Sequence, residues 1–303
     1  MEKEPINIVC IFGAGFMGTQ IGLQCASYGH TTWIVGHSEK SLEQASQSIT
    51  QELEARVKKQ QITEDEMKSV LNRIHLTQDM KEGTSSADLV IEAVPERLSL
   101  KREVFAQLDR ICPSHTILAT NSSSIRISAI EDVTRRPDKV LNTHFYPPVW
   151  ERPMVELMRG TKTSDETIER VHEFACNIGL TPLIVRKESK GFIFNRVWRT
   201  IKKECLHLVD DGVASYEDVD RAWMIFTGMK IGPFGLMDLV GLDVVRDIEM
   251  EYYRESDDKS DYPPGLLLDK IEKGELGVKT GKGFYTYPNP AFQQPSWLKC
   301  RKE

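Results

Sequence analysis

Residues 6–18 read INIVCIFGAGFMG, and the rest of the fold can be worked outward from them. Ile6 to Phe12 is a nearly continuous apolar run between Pro5 and Gly13, the pattern of a strand buried on both faces of a parallel sheet. Gly13-Ala14-Gly15-Phe16-Met17-Gly18 fits G-x-G-x-x-G where a dinucleotide fingerprint belongs, after a strand and before a helix. The first glycine permits the tight turn and the second lets a pyrophosphate approach the backbone. The third lets the helix pack on the strand, while the helix N-terminus faces the phosphates. Met17, Ile21, Cys25 and Tyr28 recur at helical spacing, Gly29 supplies a stop, and Thr31–Val35 reads as a second strand, completing a βαβ unit. Gly13, Gly15, Phe16, Met17 and Gly18 are therefore candidate contacts to a nicotinamide dinucleotide.

Further along, residues 38–73 read as a helical hairpin inserted after the second strand. Leu42, Ala45, Ile49, Leu53 and Val57 form one stripe; Met67, Val70, Leu71 and Ile74 form another. Strand candidates follow at 88–94, 116–120, 140–145 and 180–185, with 98–111 as the clearest helix. This alternation predicts an α/β fold, a Rossmann-type doubly wound sheet. From Lys190 onward the apolar spacing is helical almost throughout, interrupted by GPFG at 232–235 and by Pro263 and Pro264. The expected domains are 1–186, binding NAD(P), and 187–303, an all-α domain for substrate and dimerisation. The segment from Tyr285 to Trp297, rich in proline and aromatic residues, reads as an arm.

Composition narrows the function classes. Of the 303 residues, 40% are hydrophobic and 28% charged, with a formal charge of -6 from well-mixed acids and bases. That distribution gives no field suited to gripping nucleic acid. No apolar stretch approaches the ~20 residues that span a bilayer. The opening lacks the basic flank of a signal peptide, so a cytoplasmic location is expected. Cysteines 10, 25, 112, 176, 205 and 300 show neither a C-x-x-C pair nor zinc spacing and read as reduced thiols; no metal is expected.

The second strand ends without the usual acid: Trp33-Ile34-Val35 runs into Gly36-His37-Ser38, and the first carboxylate is Glu39. A carboxylate there would bind the ribose hydroxyls of NAD; in its absence His37, Ser38 and Lys40 are placed to contact the 2'-phosphate of NADP. An ordinary turn with solvated side chains explains the same residues equally well. NAD is the expected cofactor, with NADP open.

The segments GAGFMG, DLVIEAVPE (88–96), TNSSSI (120–125), THF (143–145), MVE (154–156), GFIFNR (191–196), IGPFGLMDLVGLD (231–243) and KTGKGFYTY (279–287) together make the chain similar to the 3-hydroxyacyl-CoA dehydrogenase family, close in length to its 3-hydroxybutyryl-CoA members. The resemblance implies reversible hydride transfer between an L-3-hydroxyacyl-CoA of short chain and NAD(P), a role in fatty acid metabolism, and a homodimer. It implies His144 as the proton-transferring residue and Glu156 as its partner. If 140–145 and 154–158 are antiparallel neighbours turning about Trp150, those two side chains fall opposite each other. A carboxylate beside an imidazole fixes its tautomer and stabilises its charged form.

The resemblance also implicates Ser123 and Asn195 in hydrogen-bonding the reacting oxygen, and Glu96 and Lys101 near the nicotinamide ribose. Each has a plainer reading: turn or cap chemistry for Ser123, helix-surface polarity for Asn195, an exposed helix for Glu96 and Lys101. Arg56, Lys58, Lys59 and Lys68 on the hairpin match the family's CoA-nucleotide arm, or else form a solvated face. One departure stands out. The family usually has Asn three residues after the catalytic histidine, whereas this chain has Pro147, followed by Pro148 and Trp150-Glu151-Arg152. The alternatives are accordingly a same-fold dehydrogenase of a free hydroxy acid, such as gulonate or carnitine, or a non-catalytic protein like the lens crystallin of this superfamily; only a catalyst requires His144, Glu156, Ser123 and Asn195 together.

Overall fold

The alternation of apolar strands with amphipathic helices yields one eight-stranded sheet in the order β3-β2-β1-β4-β5-β6-β7-β8. The structure is a computed structural model and describes residues 5–256 and 258–299; Cys300 lies outside the described residues. β1 (Ile8–Phe12), β2 (Thr31–Val35), β3 (Ile74–Thr77), β4 (Leu89–Glu92), β5 (Ile117–Thr120) and β6 (Val140–Phe145) run parallel. β7 (Met154–Arg159) turns back antiparallel to β6, and β8 (Thr181–Val185) pairs parallel to β7.

The strict two-residue period of β1 explains why it is apolar on both sides. Val9 and Ile11 join the core formed by α1 (Phe16–Ser27), α2 (Glu39–Lys58) and α6 (Asp165–Asn177). Cys10, between them, faces the opposite layer with Val104, Phe105 and Leu108 of α5 (Leu98–Ile111). Val9, Cys10 and Ile11 have no exposure at all, so truncating Ile11 to alanine costs about 2–5 kcal/mol.

The hairpin forms as α2 and α3 (Glu64–Leu71), but it stops earlier than its apolar stripe suggests. Ile74 belongs to β3, paired with Thr32, rather than to a helical face. Asn72 caps α3, and the I-H-L-T run after Arg73 alternates at period two, which the sheet edge captures.

Two compact units divide the chain at Ile193/Phe194, so residues 187–193 pack with the first. The second unit holds α7 (Phe194–Asp210), α8 (Tyr216–Thr227), α9 (Pro233–Val240), α10 (Leu242–Glu255) and α11 (Gly265–Glu272). Its core corrects the expectation of a C-terminal arm. Tyr285, Phe292 and Trp297 are 4%, 7% and 6% exposed and pack with Phe234, Met237 and Leu242. Aromatic rings bury more area than any other side chain, so an irregular segment rich in them is drawn into the interior. Among the described residues no helix is long and apolar enough to cross a membrane. Cys10, Cys25, Cys112, Cys176 and Cys205 are free thiols.

Candidate active site

Each glycine of the β1–α1 turn answers a different steric demand. Gly13 adopts φ +128°, and a Cβ there would lie 2.6 Å from the Ala93 carbonyl oxygen. At Gly18 it would lie 1.8 Å from the carbonyl oxygen of Gly13, so the close seating of α1 on the turn forbids any side chain. Gly15 is the N-cap of α1, provides no side-chain cap, and has nothing within 4 Å of a would-be Cβ. An uncapped helix N-terminus fronted by open space suits the pyrophosphate of a dinucleotide, so these residues fit the cofactor that the motif implies. Phe16 stands 71% exposed beside this space, and Met17 packs inward against the core.

At the end of β2 a side chain on Gly36 would meet Leu42 Cδ2 at 2.5 Å, so the leucine would have to turn aside to admit a carboxylate there. Ser38 is the N-cap of α2: its Oγ accepts from Ser41 N at 3.2 Å, and the Ser41 hydroxyl donates to the Ser38 carbonyl at 2.7 Å. His37 and Lys40 are exposed.

Beside the glycine turn lies a group that the sequence reading undervalued. Lys101 is 1% exposed, not a residue of an exposed helix face. Its Nζ donates to both oxygens of Glu92, at 2.8 and 3.0 Å, and lies 3.2 Å from Glu96. Glu92 also accepts from Thr120 Oγ1 at 2.7 Å and Val94 N at 2.6 Å, the dense hydrogen bonding a buried ion pair requires. Glu96 takes the Ser124 hydroxyl at 2.8 Å and the Ser122 hydroxyl. Burial opposes its ionisation, but Lys101 and the two serines prevail and hold its carboxyl below the usual range. Glu92 was missed, although a carboxylate inside the apolar run DLVIEAV is a signal in itself, since a buried strand acid needs a cation.

The second constellation comes from the antiparallel pair. His144 on β6 and Glu156 on β7 are direct register partners. Glu156 Oε2 lies 3.0 Å from His144 Nδ1, with Glu156 fully buried and His144 5% exposed. The same Oε2 accepts the Tyr146 hydroxyl at 2.7 Å, and Oε1 accepts Ile193 N at 2.8 Å. Tyr146 and Phe192 flank the imidazole, with ring centroids 4.4 and 4.9 Å away. Asn121 Oδ1 accepts Phe145 N at 2.9 Å, tying the loop after β5 to the end of β6. That loop carries Ser123, exposed. Asn195 belongs to α7 of the second unit.

The turn between β6 and β7 closes over a cleft of about 610 Å³ lined by Gly15, Phe16, Gln20, Ser48, Glu52 and Trp150. Gln20 Oε1 accepts Val149 N at 3.1 Å. Arg56 donates to Glu52 at 2.8 Å and stacks 4.6 Å above the Trp150 ring, so it is part of a wall, unlike the exposed Lys58 and Lys59. Lys68 pairs with Asp65 at 3.1 Å. A cleft of about 670 Å³ in the second unit is lined by Tyr216, Tyr285 and Trp297; neither cleft is lined by His144 or Glu156, so volume alone does not mark the reactive centre.

Comparison with known proteins follows the same division of the chain. The sequence profile of the 3-hydroxyacyl-CoA dehydrogenase NAD binding domain matches residues 8–189, and that of the 3-hydroxyacyl-CoA dehydrogenase C-terminal domain matches 191–287. A probable 3-hydroxybutyryl-CoA dehydrogenase of Bacillus subtilis is 38% identical over 93% of this chain and 98% of its own. The crystal structure of (S)-3-hydroxybutyryl-CoA dehydrogenase from Ralstonia eutropha is 34% identical, with a TM-score of 0.87 over 94% of this chain and 100% of that one. A solved diketoreductase that acts on dicarbonyl compounds is 33% identical, with a TM-score of 0.85 and the same coverage. Two profiles in chain order, together with relatives above 30% identity matched over nearly their whole length, establish that the chain belongs to the 3-hydroxyacyl-CoA dehydrogenase family.

Proposed function

We propose that the protein interconverts a short-chain L-3-hydroxyacyl-CoA and the matching 3-oxoacyl-CoA with NAD as cofactor, in fatty acid metabolism. The observation that carries this reading is the buried His144–Glu156 pair, 3.0 Å apart, in the same unit as the glycine turn. Gly13, Gly15, Gly18 and the Glu96–Lys101 corner would hold the nicotinamide dinucleotide, which when bound would supply the hydride chemistry. Glu156, acting as acceptor, keeps the ring proton on Nδ1, which leaves the Nε2 lone pair for the substrate. In oxidation Nε2 takes the proton of the C3 hydroxyl; in reduction it returns a proton to the oxygen at C3. Ser123 and Asn195 are assigned to hydrogen-bonding that oxygen.

The second unit is assigned to substrate binding and to a homodimer. Val197, Ile225, Phe226 and Leu239, exposed by 52% to 93%, support self-association, which light scattering on the purified protein tests. A cytoplasmic location agrees with the free thiols.

A second reading, a dehydrogenase of a free hydroxy acid or dicarbonyl, is favoured by the Pro147–Trp150 wall and by the likeness to the diketoreductase. Oxidation of NADH and NADPH at 340 nm, with acetoacetyl-CoA beside free acetoacetate, separates the two. Turnover confined to the CoA ester is expected. Equal or faster turnover of the free acid overturns the CoA assignment, and the better cofactor resolves the role of Gly36-His37-Ser38.

A further inference from the structure

His144 and Tyr146 are two residues apart on a chain leaving β6, so both project toward the face on which β7 presents Glu156. Glu156 pairs with His144 directly; Tyr146 reaches it along the diagonal, as a long side chain can. The result is a carboxylate engaged at both oxygens: Ile193 N donates to Oε1 at 2.8 Å, and His144 Nδ1 and the Tyr146 hydroxyl meet Oε2 at 3.0 and 2.7 Å.

We propose that Tyr146 is a positioning residue of the proton carrier, holding Glu156 Oε2 on His144 Nδ1 and drawing off part of the carboxylate's charge. The proposal rests on the reading of His144 as that carrier. Around the imidazole stand the Glu156 carboxylate from β7, the Tyr146 phenol from its own segment and the apolar Phe192 ring from the segment after β8.

Two consequences follow from this arrangement. Donors at both oxygens fix the plane of the carboxylate, so Glu156 cannot rotate away when the ring changes charge. The phenol also competes with the imidazole for one oxygen. A carboxylate already satisfied by an O–H donor attracts the ring proton less strongly, so Tyr146 makes the imidazolium a better acid. That keeps His144 able both to accept a proton and to release it.

Tyr146→Phe keeps the ring and removes the hydroxyl that donates to Glu156. Expected are a fall in kcat of about threefold to thirtyfold, an unchanged KM for NADH, and an upward shift of about half to one pH unit in the limb of the kcat/KM profile that His144 governs. Site-specific 3-fluorotyrosine at 146, a stronger donor of nearly the same size, moves that limb downward. An unshifted limb and unchanged kcat in Tyr146→Phe, or a limb displaced downward, overturns the role of Tyr146. His144→Gln assayed in parallel reports on the underlying assignment: a near-normal rate there removes the proton carrier itself, whatever Tyr146 does.

Discussion

Glu156 in the first unit and Asp220 in the second are both fully buried carboxylates with nearly the same donors around them. Glu156 takes a tyrosine hydroxyl at 2.7 Å and one backbone N–H at 2.8 Å. Asp220 takes the Tyr285 hydroxyl at 2.9 Å and the N–H groups of Phe234 and Gly235 at 2.8 and 3.0 Å. A titratable partner separates them. Glu156 faces an imidazole that can carry a proton, whereas Asp220 faces the first turn of α9 and ties it to the C-terminal aromatic segment. Asp238 repeats the second pattern, receiving Phe284 N, Tyr285 N and the Tyr287 hydroxyl at 2.9, 2.8 and 3.0 Å. A buried carboxylate rich in donors is thus a fold staple unless one of its partners titrates and can meet a substrate.

The contrast is broken most directly by removing the titrating partner. His144→Gln keeps size and polarity but cannot shuttle a proton, so kcat falls by about two to four orders of magnitude while cofactor affinity, read by fluorescence titration, stays near wild type. Asp220→Ala should do the reverse. Two amides and a phenol lose their acceptor inside the second core, which costs about 3–5 kcal/mol of stability, visible in a denaturant midpoint. The rate per folded molecule should change little. A stable Asp220→Ala protein that is catalytically dead would erase the distinction between staple and site.

Acid titration sharpens the same comparison. At Asp220 burial outweighs the hydrogen bonds from Phe234, Gly235 and Tyr285 and pushes the carboxyl up to about 6. Below the unfolded pKa near 3.8 both states hold the proton. As pH rises from about 4 to 6 the unfolded chain ionises first, so Asp220 withdraws stability, by about 3 kcal/mol once both states are ionised. Glu96 has the opposite sign. Its carboxyl lies below the usual range, so its contribution is present above the unfolded pKa and is lost as pH falls through the lower, folded value. Melting temperatures of wild type and Asp220→Asn should therefore converge toward pH 4 and diverge toward pH 7, the wild type losing ground. Parallel curves would remove Asp220 from the pH dependence.

This comparison also shows what the sequence could disclose. The β1–α1 turn was legible because its glycines answer steric demands that no other residue meets, and the His144–Glu156 register was legible because β6 and β7 alternate on either side of a short turn. The motifs IGPFGLMDLVGLD and KTGKGFYTY announced the family but not their own purpose. Gly232 and Gly283 are there because a Cβ would fall 2.3 Å from the Asp220 carboxyl carbon and 2.1 Å from Asp238 Oδ1. The hydrogen bonds that the aromatic segment makes to Asp238 and Asp220 span 46 to 65 residues, and no local period encodes them. The same holds for Lys101, whose helical spacing reads as surface until β4 brings Glu92 beneath it, and for Ile74, where the apolar stripe of α3 ran past its cap. Tyr146 was within reach: two residues after His144, it had to share that residue's face.

The smallest effect belongs to the residue whose role the two units together leave most sharply divided between staple and site. Ser38 caps α2 through Ser41 N at 3.2 Å, and Ser38→Ala should cost about 1 kcal/mol from that bond alone. Capping uses the hydroxyl oxygen as an acceptor and leaves its proton for another partner, so the cap does not preclude contact with a 2'-phosphate. If Ser38 is only a cap, the variant loses stability and the ratio of kcat/KM for NADPH to that for NADH is unchanged. If it also donates to the phosphate, that ratio falls by about threefold to tenfold while NADH turnover holds. Residue 36 is a glycine, so the end of β2 lacks the group that would repel NADP, and the ratio in wild type shows how far exposed His37 and Lys40 make use of that opening.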